Sequence, residues 1–191
     1  MEELKKIEDE IKKCKKCSLC LTRKNAVPGE GKYDAYIMMI GEAPGKNEDE
    51  QGRPFVGKAG KFLDFALSTI NLEREKIYIT NVVKCRPPNN RDPTTEEIKA
   101  CSPYLDAQIN LIQPRIICTL GRFATEYILP SYGFTAKPIS QIHGKIFYSP
   151  IAMVHIIPLY HPAASIYIPA IKEIFLKDIK SIPSILNKDE S

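Results

Sequence analysis

Four short apolar runs constrain this chain more than any other feature: AYIMMIG (35–41), IYITNVV (77–83), RIICTLG (115–121) and VHIIPLYHP (154–162). Each is rich in branched aliphatic residues and nearly continuous, the pattern of a strand buried on both faces. Between them lie helical patterns. Leu4, Ile7 and Ile11 recur at helical spacing in residues 2–13. Phe62, Phe65, Ala66 and Ile70 share one face of KAGKFLDFALSTI, and FATEYIL forms a short helix. Thr94 starts another helix, in which Ser102-Pro103 predicts a fresh cap and a break near Cys101. KIFYS reads as an edge strand and a long helix closes the chain. Strands alternating with helices give an α/β fold, a parallel sheet covered on both faces. At 191 residues one domain, 1–191, is expected.

Ligands of such sheets bind outside the carboxyl ends of the strands. Three of the four runs end in unusual polar loops, GEAPG, NVVKCRPP and HPAAS, which can converge on one crevice. The third ends in LGR, read as serving only to pack its helix.

From Gly52, the text GRPFVGKA falls one residue short of the phosphate loop G-x-x-x-x-G-K-[ST]. Three things argue against a nucleotide-triphosphate site. Ala59 stands where the Mg²⁺-binding hydroxyl belongs, the loop does not leave its strand directly, and no strand ends in a Walker B carboxylate. The preceding stretch also carries Glu42, Glu48, Asp49 and Glu50, whose charge opposes phosphate. Asp49 and Glu50 read as a solvated acidic loop. Glu42 differs, because it sits at a strand tip. Phe55 is an aromatic in a polar loop, either a core plug or a face on which a planar ligand stacks.

Net charge of +4 suits a nucleic-acid partner without demanding one. No apolar run approaches the ~20 residues of a membrane span, and MEELKKIEDEIKKC is not a secretory signal, so a cytoplasmic protein is expected. Fifteen prolines with abundant Ile and Lys hint at heat adaptation. Six cysteines in a reducing compartment favour metal or cluster ligation over disulfides. Cys14-x2-Cys17 is a chelating pair, and Cys85 and Cys101 follow at the second strand's exit and the proposed helix break. Four thiolates suit Zn²⁺ or an iron–sulfur cluster, and spacing leaves both open. Cys14, Cys17 and Cys20 copy the start of a ferredoxin run, but residue 24 is Lys, which disfavours an electron carrier. Cys118 lies in an apolar strand as plain core.

GEAPGKNEDEQGRPFVGKAG, NVVKCRPPNNRDPT, LGR and HPAAS, with cysteines at 14, 17, 85 and 101, together resemble the family 4 uracil-DNA glycosylases, the iron–sulfur class. The resemblance spans nearly the whole chain. It implies a three-layer α/β/α sandwich with a central four-stranded, mainly parallel sheet. It also implies a monofunctional DNA repair enzyme that hydrolyses the glycosidic bond of deoxyuridine in single- or double-stranded DNA. Uracil is released and an abasic site left, the first step of base excision repair. A [4Fe–4S] cluster on Cys14, Cys17, Cys85 and Cys101 would tie residues 14–17 to 85–101, leaving Cys20 spare.

On the same footing, Phe55 would stack on the flipped uracil, Asn81 would read its edge, and His161 would donate to O2 as charge gathers there. Gly41, Glu42 and Ala43 would contact the base through their backbone, and Glu48 would exclude the thymine methyl. Ser165 would grip a nearby phosphate, and Ile166 or Tyr167 would wedge the DNA. Family 1 relatives carry Asp where this loop has Ala43, which leaves Glu42 to position water. His143 and His155 read as structural. RPPNNRDPTTEE lacks the inserted histidine with which a sister group traps DNA, so turnover is implied. A binding module that had lost catalysis would not keep Phe55, Asn81 and His161 together. No sliding-clamp motif is seen, no membrane partner is expected, and a monomer is.

Overall fold

The computed structural model describes residues 2–189. In chain order the elements are α1 (Glu2–Lys13), β1 (Glu30–Gly31), β2 (Ile37–Gly41), α2 (Lys46–Gln51), α3 (Lys58–Ser68), β3 (Tyr78–Asn81) and α4 (Thr95–Ile112). They continue with β4 (Ile116–Leu120), α5 (Arg122–Ser131), α6 (Ile139–Ile142), β5 (Phe147–Ser149), β6 (Val154–Leu159), α7 (Pro162–Tyr167), α8 (Pro169–Asp178) and α9 (Ser181–Asp189). The four apolar runs form the parallel centre, β3-β2-β4-β6. Every residue of β2, β3 and β4 is buried, as continuous apolar runs require.

Side chains alternate across this sheet. Met38, Ile40 and Ile117 join α1, α4 and α5 in one core, while Ile37, Met39 and Ile116 join α3, α8 and α9 in the other. The result is the three-layer sandwich. Its sheet has six strands rather than four, because two antiparallel edges flank the parallel centre: β1 on β3 and β5 on β6. The β5 edge is the KIFYS strand. The two-residue β1 is too short to leave a pattern in sequence.

Four other expectations are corrected. The acidic stretch is not all loop: it contains α2, and Asp49 is only 6% exposed. Asp49 Oδ1 accepts from the amides of Lys24 and Asn25 at 2.8 and 3.2 Å, whereas Glu50 is exposed as expected. The helix after Thr94 does not break near Cys101. Thr94 closes a full capping box with Glu97, and α4 continues through Pro103. Burial of Cys101, Ser102, Tyr104 and Leu105 on both sides of the proline holds the helix together despite the lost bond. On α3 the buried face is Leu63, Ala66 and Leu67, while Phe65 is exposed. Finally, the closing helix is three helices, with Pro169 opening α8. No helix among the described residues is long and apolar enough to cross a membrane.

Candidate functional site

The carboxyl ends of β2, β3 and β6 open onto one cleft of about 330 Å³, lined by Glu42, Ala43, Pro44, Gly45, Glu48, Phe55, Ala59, Asn81, Pro87, Asn90, Arg91, His161 and Ala163. Parallel register explains the convergence: Gly41 at the tip of β2 lies directly beside Asn81 at the tip of β3. A Cβ on Gly41 would sit 2.6 Å from Cζ of Phe55 and closer still to Asn81 Oδ1. Only glycine lets the aromatic and the amide meet at this point. Asn81 Oδ1 is buried and makes no hydrogen bond among the described residues, which leaves an unsatisfied acceptor in the cleft wall.

Phe55 is buried with φ of +49°, a left-handed conformation that aromatic residues rarely adopt. Its ring lies 5.9 Å from that of His161, centroid to centroid, at 33° between planes. Glu48 Oε1 accepts from the amides of Val56 and Gly57 at 2.9 and 2.8 Å, fixing the turn after Phe55.

His161 is the N-cap of α7. Its Nδ1 accepts from Ala163 N at 3.1 Å, so the neutral ring carries its proton on Nε2. Burial pushes its pKa down to about 4, against a small opposing pull from Glu48. The ring is therefore a neutral N–H donor across the physiological range. Gly121, at the end of β4, holds φ of +91°, and a Cβ there would meet His161 Cβ at 3.0 Å. The LGR turn thus makes room for the histidine and does not merely pack a helix.

Glu42 is half-buried, and burial, with Asp92 next, pushes its carboxyl up to about 7; Arg122 pulls the other way. Arg122 is itself paired with Asp92 at 3.1 Å. Ser165 is not brought to the cleft. It is 3% exposed and its hydroxyl is buried with no hydrogen-bond partner among the described residues, because the α7 turn opened by Pro162 points it inward. Ile166 and Tyr167 are exposed on α7. His143 pairs with Asp178 at 2.7 Å and His155 stacks on Tyr148, both outside the cleft lining.

Beside the cleft, Cys14, Cys17, Cys20, Cys85 and Cys101 ring one small hollow with Arg23, Lys84 and Tyr104. Cys118 lies apart in the core, and all six are free. Three sulfurs receive N–H donors: Cys85 from Arg23 Nη1 at 2.9 Å, Cys101 from Lys84 N at 3.2 Å and Cys14 from Lys16 N at 3.5 Å. Such donors suit sulfurs that carry ligand charge. Burial raises the thiol pKa of Cys17 and Cys85, and that of Cys101 to about 11. No group of three or more His, Cys, Asp or Glu among the described residues is spaced to hold a single metal ion.

Two further groups escaped sequence reasoning. Lys84 is 1% exposed, and its ammonium donates to Thr80 Oγ1 (2.6 Å), Asn81 O (2.7 Å) and Gln108 Oε1 (2.7 Å). It joins the cysteine hollow to the backbone of Asn81. Arg74, in a short turn with no motif, holds the loop of Phe55. The only sequence signal of Lys84 was its place in KCRPP.

A three-layer sandwich whose strand tips set an aromatic face, a free amide and a neutral imidazole around a small cleft defines a protein that recognises a planar, hydrogen-bonding heterocycle. The chain belongs to the uracil DNA glycosylase superfamily, whose family model matches residues 28–180, and within it to the type-4 branch. It is 53% identical to a type-4 uracil-DNA glycosylase of Sulfurisphaera tokodaii over 95% of this chain and 84% of that one. A type-4 enzyme of Archaeoglobus fulgidus is 46% identical over 100% and 96%. A type-5 uracil-DNA glycosylase of Thermus thermophilus is more distant, at 33% over 71% and 68%.

Proposed function

We propose that this chain hydrolyses the C1′–N1 bond of deoxyuridine in single- and double-stranded DNA, releasing uracil and leaving an abasic site. The observation that carries the reading is the meeting of Phe55, Asn81 and His161 around one cleft, with the imidazole proton fixed on Nε2.

A nucleotide flipped from the duplex would enter the cleft with its base against Phe55, where stacking is worth ~1–3 kcal/mol. The Asn81 amide offers a donor to uracil O4 and an acceptor to N3–H. Cytosine presents the opposite pattern there and would leave buried groups unpaired. As the bond breaks, its electron pair passes into the base and negative charge gathers on O2, where His161 Nε2–H donates. A donor aimed at developing charge is worth several kcal/mol, and neutral imidazole supplies it without acid catalysis. Water adds to C1′ on the face opposite the base, with Glu42 as the carboxylate that positions it; the proton this water loses balances the one taken up by the departing uracil anion. Glu48, held by two backbone amides, is the wall against a methyl at C5. Backbone of Gly41 and Ala43 lines the base edge, and Ile166 and Tyr167 form the exposed wedge.

The cysteine ring suits a [4Fe–4S] cluster held by Cys14, Cys17, Cys85 and Cys101: the four thiols line one hollow, and three of their sulfurs receive N–H donors. When bound, the cluster would supply a structural cross-link between the N-terminal segment and the loop after β3. Arg91, pinned to Glu97 at 2.6 Å, and Pro87 then form a cleft wall anchored between Cys85 and Cys101.

The test is incubation with uracil-containing DNA and alkaline cleavage. Strand breaks at uracil, with none at cytosine or thymine, are expected; intact DNA would refute the reading.

A further inference from the structure

We propose that Arg74 is a positioning residue for base stacking: its guanidinium holds Phe55 in the left-handed conformation that puts the ring in the cleft. The proposal rests on Phe55 serving as the stacking face.

Backbone strain at an aromatic residue persists only where surrounding structure fixes it. Here Arg74 supplies the fixing. Nη1 donates to the carbonyl of Phe55 at 3.1 Å and Nη2 to the preceding carbonyl of Pro54. The guanidinium is itself held: Nε donates to Glu30 Oε1 at 2.7 Å and Nη1 also to Asp64 at 2.9 Å. Glu30 is fixed in turn by Arg53 at 2.7 Å and carried on β1. The Arg74 side chain is 14% exposed, so its bonds to Glu30 and to the two carbonyls are partly shielded from competing water, whereas Asp64 is open to solvent. Glu48 takes the following amides, Val56 and Gly57. The turn is thus gripped at its carbonyls by Arg74 and at its amides by Glu48, with Phe55 between. A rigid fork that bonds two successive carbonyls and a carboxylate at once is geometry that lysine cannot copy.

Arg74→Gln, Arg74→Lys, Phe55→Ala and the double variant Arg74→Gln/Phe55→Ala would be compared for binding of free uracil and of DNA carrying a tetrahydrofuran abasic analogue, which has no base to stack. Stacking energies of this kind predict that Arg74→Gln and Arg74→Lys each weaken uracil about tenfold, while abasic-analogue DNA binds within about twofold of wild type. In the Phe55→Ala background Arg74→Gln should add less than about twofold, because both act through one contact. If Phe55→Ala binds uracil weakly but the Arg74 variants bind it normally, or if their losses multiply, the positioning role is overturned. Equal losses for abasic-analogue DNA and uracil would overturn it too, showing general damage. If Phe55→Ala leaves uracil binding unchanged, the stacking reading itself fails and this one with it. Should Arg74→Gln not fold, Arg74→Lys, which keeps the charge against Glu30 and Asp64, decides by the same binding measurements, with Phe55→Ala/Arg74→Lys as the double variant.

Discussion

His161 uses its two ring nitrogens for different ends. Nδ1 caps α7 and, by accepting there, commits the proton to Nε2, where the leaving base would need it. Burial disfavours a charged ring, so the pKa lies near 4 instead of 6.5. The sign follows: this histidine's contribution to stability is complete above about 6.5 and is lost as pH falls toward 4. Glu42 titrates on the other side, its carboxyl raised to about 7. Were an ionised Glu42 indispensable, single-turnover excision would fall about tenfold per pH unit below 7. If His161 and Asn81 dominate, the rate stays within a few-fold from pH 8 to pH 5 and declines only toward 4. A single-turnover pH series decides between the two profiles. The cleft was legible at this scale where its lining side chains stand in motifs, as Phe55, Asn81 and His161 do. It was illegible where a side chain acts on backbone, as Arg74 and Lys84 do, because any loop donor can serve and no spacing marks it. Ser165 lies buried outside the cleft lining because a helical turn sets which way a side chain points, and the text HPAAS does not display that turn.

At the scale of elements, the parallel strands were legible because burial on both faces leaves no polar positions. The edges were less so: β1 carries no pattern, and α2 has a buried aspartate where an apolar anchor would have announced a helix. Asp49 ties α2 to the cysteine-bearing segment through two amides, so Asp49→Ala should lower stability by ~1–3 kcal/mol. A fall in thermal midpoint with the folded far-UV circular dichroism retained at room temperature would check this. Pro103 shows the opposite lesson. Local propensity pointed to a break, but apolar side chains on both sides of it bury into the same core, and packing prevailed. Lys84 links two elements, its side chain on the end of β3 and its amide on Cys101. Lys84→Met would leave three buried oxygens short of a donor. It should reduce stability by a few kcal/mol and slow uracil excision more than it weakens binding of abasic DNA.

Across the whole molecule, the cysteine hollow and the cleft share a wall. The chain runs from Cys85 through Pro87, Asn90 and Arg91, which line the cleft, to Cys101 on α4. If these cysteines hold the proposed cluster, Cys101→Ser should lose its brown colour, lower the thermal midpoint and slow excision together. Cys20→Ser should keep all three, and its failure to do so would make Cys20 a ligand. The measurement that bears most directly on the account is single-turnover uracil excision by wild type, His161→Ala, Asn81→Ala and Glu42→Ala on one uracil-containing oligonucleotide. Removal of His161 or Asn81 should slow excision by ~10²–10³ or more, and removal of Glu42 by less. A dead Glu42→Ala beside a His161→Ala that excises at nearly the wild-type rate would contradict it.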